Sequence, residues 1–135
     1  MSTEAPVVAA VTRLIDQARV NAYADAGHDH NPLHLDSPEA AASQFGRPIA
    51  HGMLVLALVS EMMSNAFGQR WTEGGHFKVR WRAPAIPPVT ITASAELKSS
   101  SDDVATYDVA CTSDDGTVLL TGTARAPLDW SADGT

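Results

Sequence analysis

The sequence predicts an α+β domain, an antiparallel sheet laid with one face against a single long, buried helix. Three observations lead there. Four segments in the second half of the 135-residue chain alternate apolar and polar side chains, as Phe77, Val79 and Trp81 do against Lys78, Arg80 and Arg82. The run from Met53 to Met63 is apolar on nearly every side, which marks a helix enclosed by other structure. Asp114-Asp115-Gly116 divides the last two alternating runs and signals a tight hairpin.

In chain order, Val7 to Ile15 is rich in β-branched and small apolar residues and reads as a strand. Asp16 then caps a helix running to about Ala26, with Ile15 and Val20 at the two positions of a hydrophobic staple and Gly27 as its end. His28 to Asp36 is loop, with Pro32 forcing Asn31 toward extended geometry. Ser37, Pro38 and Glu39 start a short helix that stops before Gly46. The apolar helix has natural limits at Gly52 and Gly68, which makes it roughly 15 residues and roughly 23 Å long. "GQRWTEGG" reads as a mobile connection, and the strands after it centre on Phe77 to Arg82, Val89 to Lys98, Val104 to Thr112 and Thr117 to Ala126. With no repeat, low-complexity tract or linker, residues 1–135 form one domain, of which 127–135 read as a loose tail.

Composition narrows the function. With 44% hydrophobic and 19% charged residues the chain is an ordinary globular one. A net charge of -7 argues against nucleic acid or an anionic membrane as main partner, since both reward clustered cations. Cys111 is alone, no signal-peptide pattern opens the chain, and the longest apolar run is too short to span a bilayer. These features lead to the expectation of a soluble cytoplasmic protein acting on a small ligand or another protein.

"HDHNPLH", residues 28 to 34, carries the chemistry. One reading is a metal site, with His28, His30 and His34 as nitrogen ligands and Asp29 or His51 as the fourth group. Neighbours in an extended loop point to opposite sides, however, so Asp29 faces away from His28 and His30. The four period-two segments also exclude an all-helical metal phosphohydrolase. The acid/base reading needs only Asp29 and His34, brought by an Asn-Pro turn to one small molecule or water. Beyond them lies the start of the apolar helix, where N–H groups lack internal partners and the dipole is positive. Gly52 there lets a ligand oxygen approach the backbone, a setting for an oxygen that gains charge.

"YADAGHDHNPLHLD" (23 to 36) followed by "FGRPIAHGMLVLALVS" (45 to 60) resembles the (R)-specific enoyl-thioester hydratases and 3-hydroxyacyl-thioester dehydratases of the MaoC-like group. "VRWRAPAIPPVTI" (79 to 91) is similar to that family's sheet segment, so the resemblance covers most of the chain. It implies the hotdog fold, a sheet wrapped around one central helix. It also implies that Asp29 and His34 are the catalytic pair and that the Gly52 N–H contacts the thioester carbonyl. Asn31 would hold the loop, and Ser60, with His51, would support the site. Asp29 and His34 would activate a water that adds to the β-carbon while a proton reaches the α-carbon on the same face. The chain departs from the family at Gly27-His28, where Ser-Gly is common, and at Pro87-Pro88-Val89, where Pro-Gly-Asp is common.

The resemblance further implies a dimer formed through the sheet, which would cover edge strands and apolar surface. It implies no metal, nucleotide or redox cofactor, with coenzyme A or an acyl carrier protein arriving as part of the substrate. A subunit of a heterodimeric hotdog dehydratase and a hotdog acyl-CoA thioesterase are the alternatives. Simpler readings stand beside these roles. His51 serves as a partly buried cap, and His76 is exposed. Ser60 bonds back to its own helix. Lys78, Arg80 and Arg82 form a solvated face or meet phosphates or an acidic carrier protein. Met53, Met62 and Met63 fill core or line an acyl tunnel. Trp71 and Trp130, in a loop and a tail, cover an apolar patch or a partner.

Overall fold

The computed structural model of the chain describes residues 4–129. Its strands are β1 (Val11–Ile15), β2 (His76–Trp81), β3 (Val89–Ser100), β4 (Val104–Ser113) and β5 (Val118–Pro127). They form one open antiparallel sheet in the order β1-β3-β4-β5-β2, which leaves β1 and β2 as its edges. The period-two pattern sorts the faces: along β4, Ala105, Tyr107, Val109 and Cys111 are buried while Asp108 is exposed.

Those inner residues pack against α3 (Gly52–Phe67), which buries Val55, Leu56, Leu58, Val59, Met62, Met63 and Phe67. Each large apolar side chain so removed from water contributes roughly 1.5–3 kcal/mol. The helix is not enclosed on every side, as its composition suggests. Met53 is 56% exposed and Ala57 is exposed on the flank the sheet does not reach. Five open strands curl around only part of a helix circumference, so an apolar residue on the free flank stays in water. At the margin of this flank the sheet's edge strand does reach the helix, where Arg13 of β1 pairs with Glu61.

Several local expectations shift. β1 begins at Val11, not Val7, whose side chain is 96% exposed. α1 (Gln17–Gly27) is capped by the Asp16 carboxylate, which accepts from the Arg19 N–H at 2.8 Å, and the staple residues Ile15 and Val20 are both buried. Gly27 stays helical, and the left-handed residue that ends the helix is His28, with φ 54°. α2 (Pro38–Ala42) is capped by Ser37 as its sequence indicates.

"GQRWTEGG" is not a mobile loop, since it folds as α4 (Gln69–Gly74). The cause is Trp71, which is buried and donates its indole N–H to Ser60 Oγ at 3.0 Å, anchoring the turn to α3. At the β4–β5 hairpin, Gly116 takes φ 88°. Asp115 there accepts from the Ser113 hydroxyl and from the Thr117 N–H, and these bonds lower its carboxyl from the usual value to about 2. The expected tail does not start at 127, because Pro127 pairs with Val104 and Leu128 is buried with its N–H on the Asp103 carbonyl at 2.8 Å. Trp130 and the rest of that tail lie outside the described residues. Among the described residues, no helix is long and apolar enough to cross a membrane.

Candidate active site

Two short segments, residues 28–35 and 49–51, meet at the start of α3. Asn31 shapes the first, because its side chain accepts the Leu33 N–H at 3.1 Å and caps a single 3-10 turn, Pro32–His34. The Asn31 N–H in turn reaches Asp29 Oδ1 at 3.3 Å. The second segment is stitched to the first. The Ile49 N–H donates to the Leu33 carbonyl at 3.0 Å, and His34 Nδ1 lies 2.8 Å from the Ile49 carbonyl. His51 Nε2 lies 2.9 Å from the Asp29 carbonyl, and Gln17 of α1 donates to the His34 carbonyl at 2.8 Å.

This stitching makes Asp29 and His34 converge. One carboxylate oxygen of Asp29, one ring nitrogen of His34 and one ring nitrogen of His51 all lie within 4.8 Å of one another. Asp29 is exposed, His34 half-buried and His51 buried, so the group is open to a ligand from one side.

The hydrogen bonds assign the tautomers. A carbonyl oxygen only accepts, so His34 carries its proton on Nδ1 and keeps a lone pair on Nε2. By the same reasoning His51 donates from Nε2 and keeps its lone pair on Nδ1, which is buried without a hydrogen-bond partner among the described residues. The His51 ring stacks on His34, with centroids 3.8 Å apart and planes at 29°, and Tyr23 lies against it at 4.7 Å. His51 holds the N-cap position of α3 through its backbone, but its side chain makes no bond to the helix and is buried at 2% exposure, turned to the loop instead. Its neighbours Tyr23 and Ile49 carry no signal in the sequence, because their positions depend on tertiary contact.

Asp29, His34 and His51 are the described residues whose spacing would admit a metal ion. The stacking argues against that use. Imidazole lone pairs lie in the ring plane, and two rings face to face at 3.8 Å direct them side by side instead of at one point. His30 is occupied with Asp25 at 2.8 Å and His28 ends α1, so neither joins the group.

At the mouth of α3, the Leu54 and Val55 N–H groups both donate to the His51 carbonyl, while those of Gly52 and Met53 have no acceptor among the described residues. Gly52 lies against Trp81, a contact the sequence does not show. A Cβ there would sit 2.8 Å from the Trp81 indole nitrogen, whose N–H donates to the Gly52 carbonyl at 3.1 Å. Ser60 has a different partner. It lies eight residues along α3, about 12 Å from Gly52, and its oxygen accepts from Trp71. Lys78 and Arg80 are exposed on the sheet's outer side, and Arg82 bonds Thr121 at 2.9 Å.

A carboxylate, an imidazole lone pair and free main-chain N–H groups around one opening can hold a water, move its proton and polarise a carbonyl. Comparison with known proteins places the chain in a family. Residues 1–116 match the family described as MaoC like domain. The chain is 30% identical over 129 residues to the (R)-specific enoyl-CoA hydratase of Aeromonas caviae, covering 94% of this chain and 96% of that one. It is 31% identical over 122 residues to 3-hydroxyacyl-thioester dehydratase Z of Mycobacterium tuberculosis, covering 87% and 74%. The solved (R)-hydratase from A. caviae involved in PHA biosynthesis matches with a TM-score of 0.78 at 30% identity, covering 93% of this chain and 97% of that one.

Proposed function

The chain belongs to the MaoC-like family, its fold is that of the hotdog hydratases, and on that footing we propose that it hydrates a trans-2-enoyl thioester reversibly to the (R)-3-hydroxyacyl thioester. The observation that carries this reading is the convergence of the Asp29 carboxylate and His34, whose Nε2 lone pair is left free by the bond from Nδ1 to Ile49. A water between them loses a proton to the pair as its oxygen bonds to the β-carbon. The pair passes that proton on to the α-carbon on the same face and returns to its starting state, and dehydration runs the steps backward. The Gly52 N–H, at the positive end of α3, receives the thioester oxygen as it becomes enolate-like.

Asn31 and His51 keep the pair in register, the first through its turn and the second through its bond to the Asp29 carbonyl. Ser60 supports from a distance by holding Trp71. The chemistry proposed needs no metal or redox cofactor, and coenzyme A or an acyl carrier protein comes attached to the acyl group. We assign the protein to the cytoplasm and to a homodimer, with β2 as the pairing edge. Phe77 and Trp81 are 39% and 47% exposed on that strand, and pairing would cover them along with its free backbone groups.

The test follows the loss of enoyl-thioester absorbance with trans-2-butenoyl-CoA, and chiral analysis of the product. Formation of the (R)-3-hydroxyacyl thioester supports the reading. Release of free coenzyme A without hydration would replace it with thioester hydrolysis.

A further inference from the structure

Trp81 takes no part in the proton transfers above, yet it touches the residue proposed to receive the thioester. It stands at the end of the edge strand β2 and is 47% exposed in the single chain, so packing within the chain does not account for its placement. Its indole N–H donates to the Gly52 carbonyl at 3.1 Å, and the ring fills the space a Cβ of Gly52 would need, with Nε1 at 2.8 Å and Cε2 at 3.1 Å.

The Gly52 carbonyl and the Met53 N–H belong to one planar peptide unit, so whatever fixes the oxygen fixes the direction of that N–H. Met53 and Gly52 carry the two N–H groups at the start of α3 that lack an acceptor among the described residues. Helix termini fray, and a donor arriving from the side restrains the plane that the helix alone holds only from one end.

We propose that Trp81 is a positioning residue, whose indole clamps the Gly52–Met53 peptide so that the N–H groups of the turn stay aimed at the substrate carbonyl oxygen, and that this contact is what forbids a side chain at position 52. The inference rests on the reading of this turn as the thioester-binding element. It adds a link between that turn and the edge of the sheet.

Turnover of trans-2-butenoyl-CoA by the intact protein is measured first. No turnover in wild type removes both the functional reading and this one. Given an active wild type, Trp81→Phe keeps an aromatic ring and deletes the donor. Since loss of an oxyanion donor outright costs about 100- to 1,000-fold, a donor present but loosened should cost about 10-fold in kcat. KM should stay within about threefold, because the interaction is made chiefly in the transition state, and Tm and solution mass should not change. Gly52→Ala drives a methyl into the indole and breaks the same contact. The double variant should therefore lose no more than Gly52→Ala alone. Wild-type kcat in Trp81→Phe, or losses that multiply in the double variant, would overturn the proposal while leaving the hydratase reading intact. Should Trp81→Phe lower Tm or mass, 3-benzothienylalanine placed at position 81 keeps the shape without the N–H. The same fall in kcat supports the clamp, and full activity refutes it.

Discussion

The imidazole of His51 lies face to face with that of His34, and the same ring holds the backbone carbonyl of Asp29 through Nε2 at 2.9 Å. One buried side chain thus touches both members of the proposed catalytic pair. The reacting groups sit on a loop, but the loop is backed by a residue seated at the start of the central helix.

Asp29→Asn and His34→Ala should each lower turnover of an enoyl thioester by at least about 100-fold, the low end for a general acid or base. Asp29 is exposed and its side chain accepts only the Asn31 N–H, at 3.3 Å, so Asp29→Asn should leave Tm nearly unchanged. Either variant working at the wild-type rate contradicts the mechanism.

His51→Ala should behave differently from Asp29→Asn, losing both activity and stability. It opens a space beneath His34 and leaves the Asp29 carbonyl without its donor, a change worth about 1–3 kcal/mol. Thermal unfolding and turnover measured on the same preparation distinguish the two variants. A normal Tm in His51→Ala would remove it from the support of the loop.

Because the stacked rings of His34 and His51 cannot aim at one ion, dialysis against a chelator should leave turnover unchanged. A loss restored by a divalent cation would reopen the metal reading of Asp29, His34 and His51.

His28 ends α1 with φ 54°, a conformation that disfavours side chains with a Cβ by about 1–2 kcal/mol, whereas a glycine there gains freedom in the unfolded chain. The net for His28→Gly should be a gain of about 0.5 kcal/mol, readable as a rise in denaturation midpoint at constant slope. A drop in that midpoint would mean that the imidazole makes a compensating contact.

Acid stability should carry the mark of Asp115. Its carboxyl, held down to about 2 by the Ser113 hydroxyl first and the Thr117 N–H second, favours the charged form in the folded chain. A lowered folded pKa gives stability that is whole above the unfolded value near 4 and fades as pH falls toward 2. Asp115→Asn should flatten the decline of Tm across that window, and an unchanged slope would show that the hairpin plays no part in it.

The parts legible in the sequence are those written in neighbouring residues. The turn from Asp29 to His34 is local, set by Asn31 and Pro32, whereas the convergence of its two side chains also needs Ile49 and His51 from the next segment. Caps at Asp16 and Ser37 and the Gly116 hairpin are local as well. What escaped depends on residues far apart in the chain. α4 is anchored because Trp71 finds Ser60, His51 is buried because Tyr23 and His34 flank it, and Gly52 of α3 meets Trp81 arriving from β2. No periodicity encodes such meetings. The strain at His28 was hidden for another reason, since a glycine one position earlier looked like the natural end of the helix.

Ile49 gives its N–H to Leu33 and its C=O to His34, which fastens the chain on both sides of residues 36–48. That stretch leaves and returns at pinned ends, and inside it the Ser37 hydroxyl adds a third tie, to the Pro32 carbonyl at 2.7 Å. A change of backbone path within residues 36–48 therefore reaches Asp29 and His34 only after straining ties that lie on both sides of it.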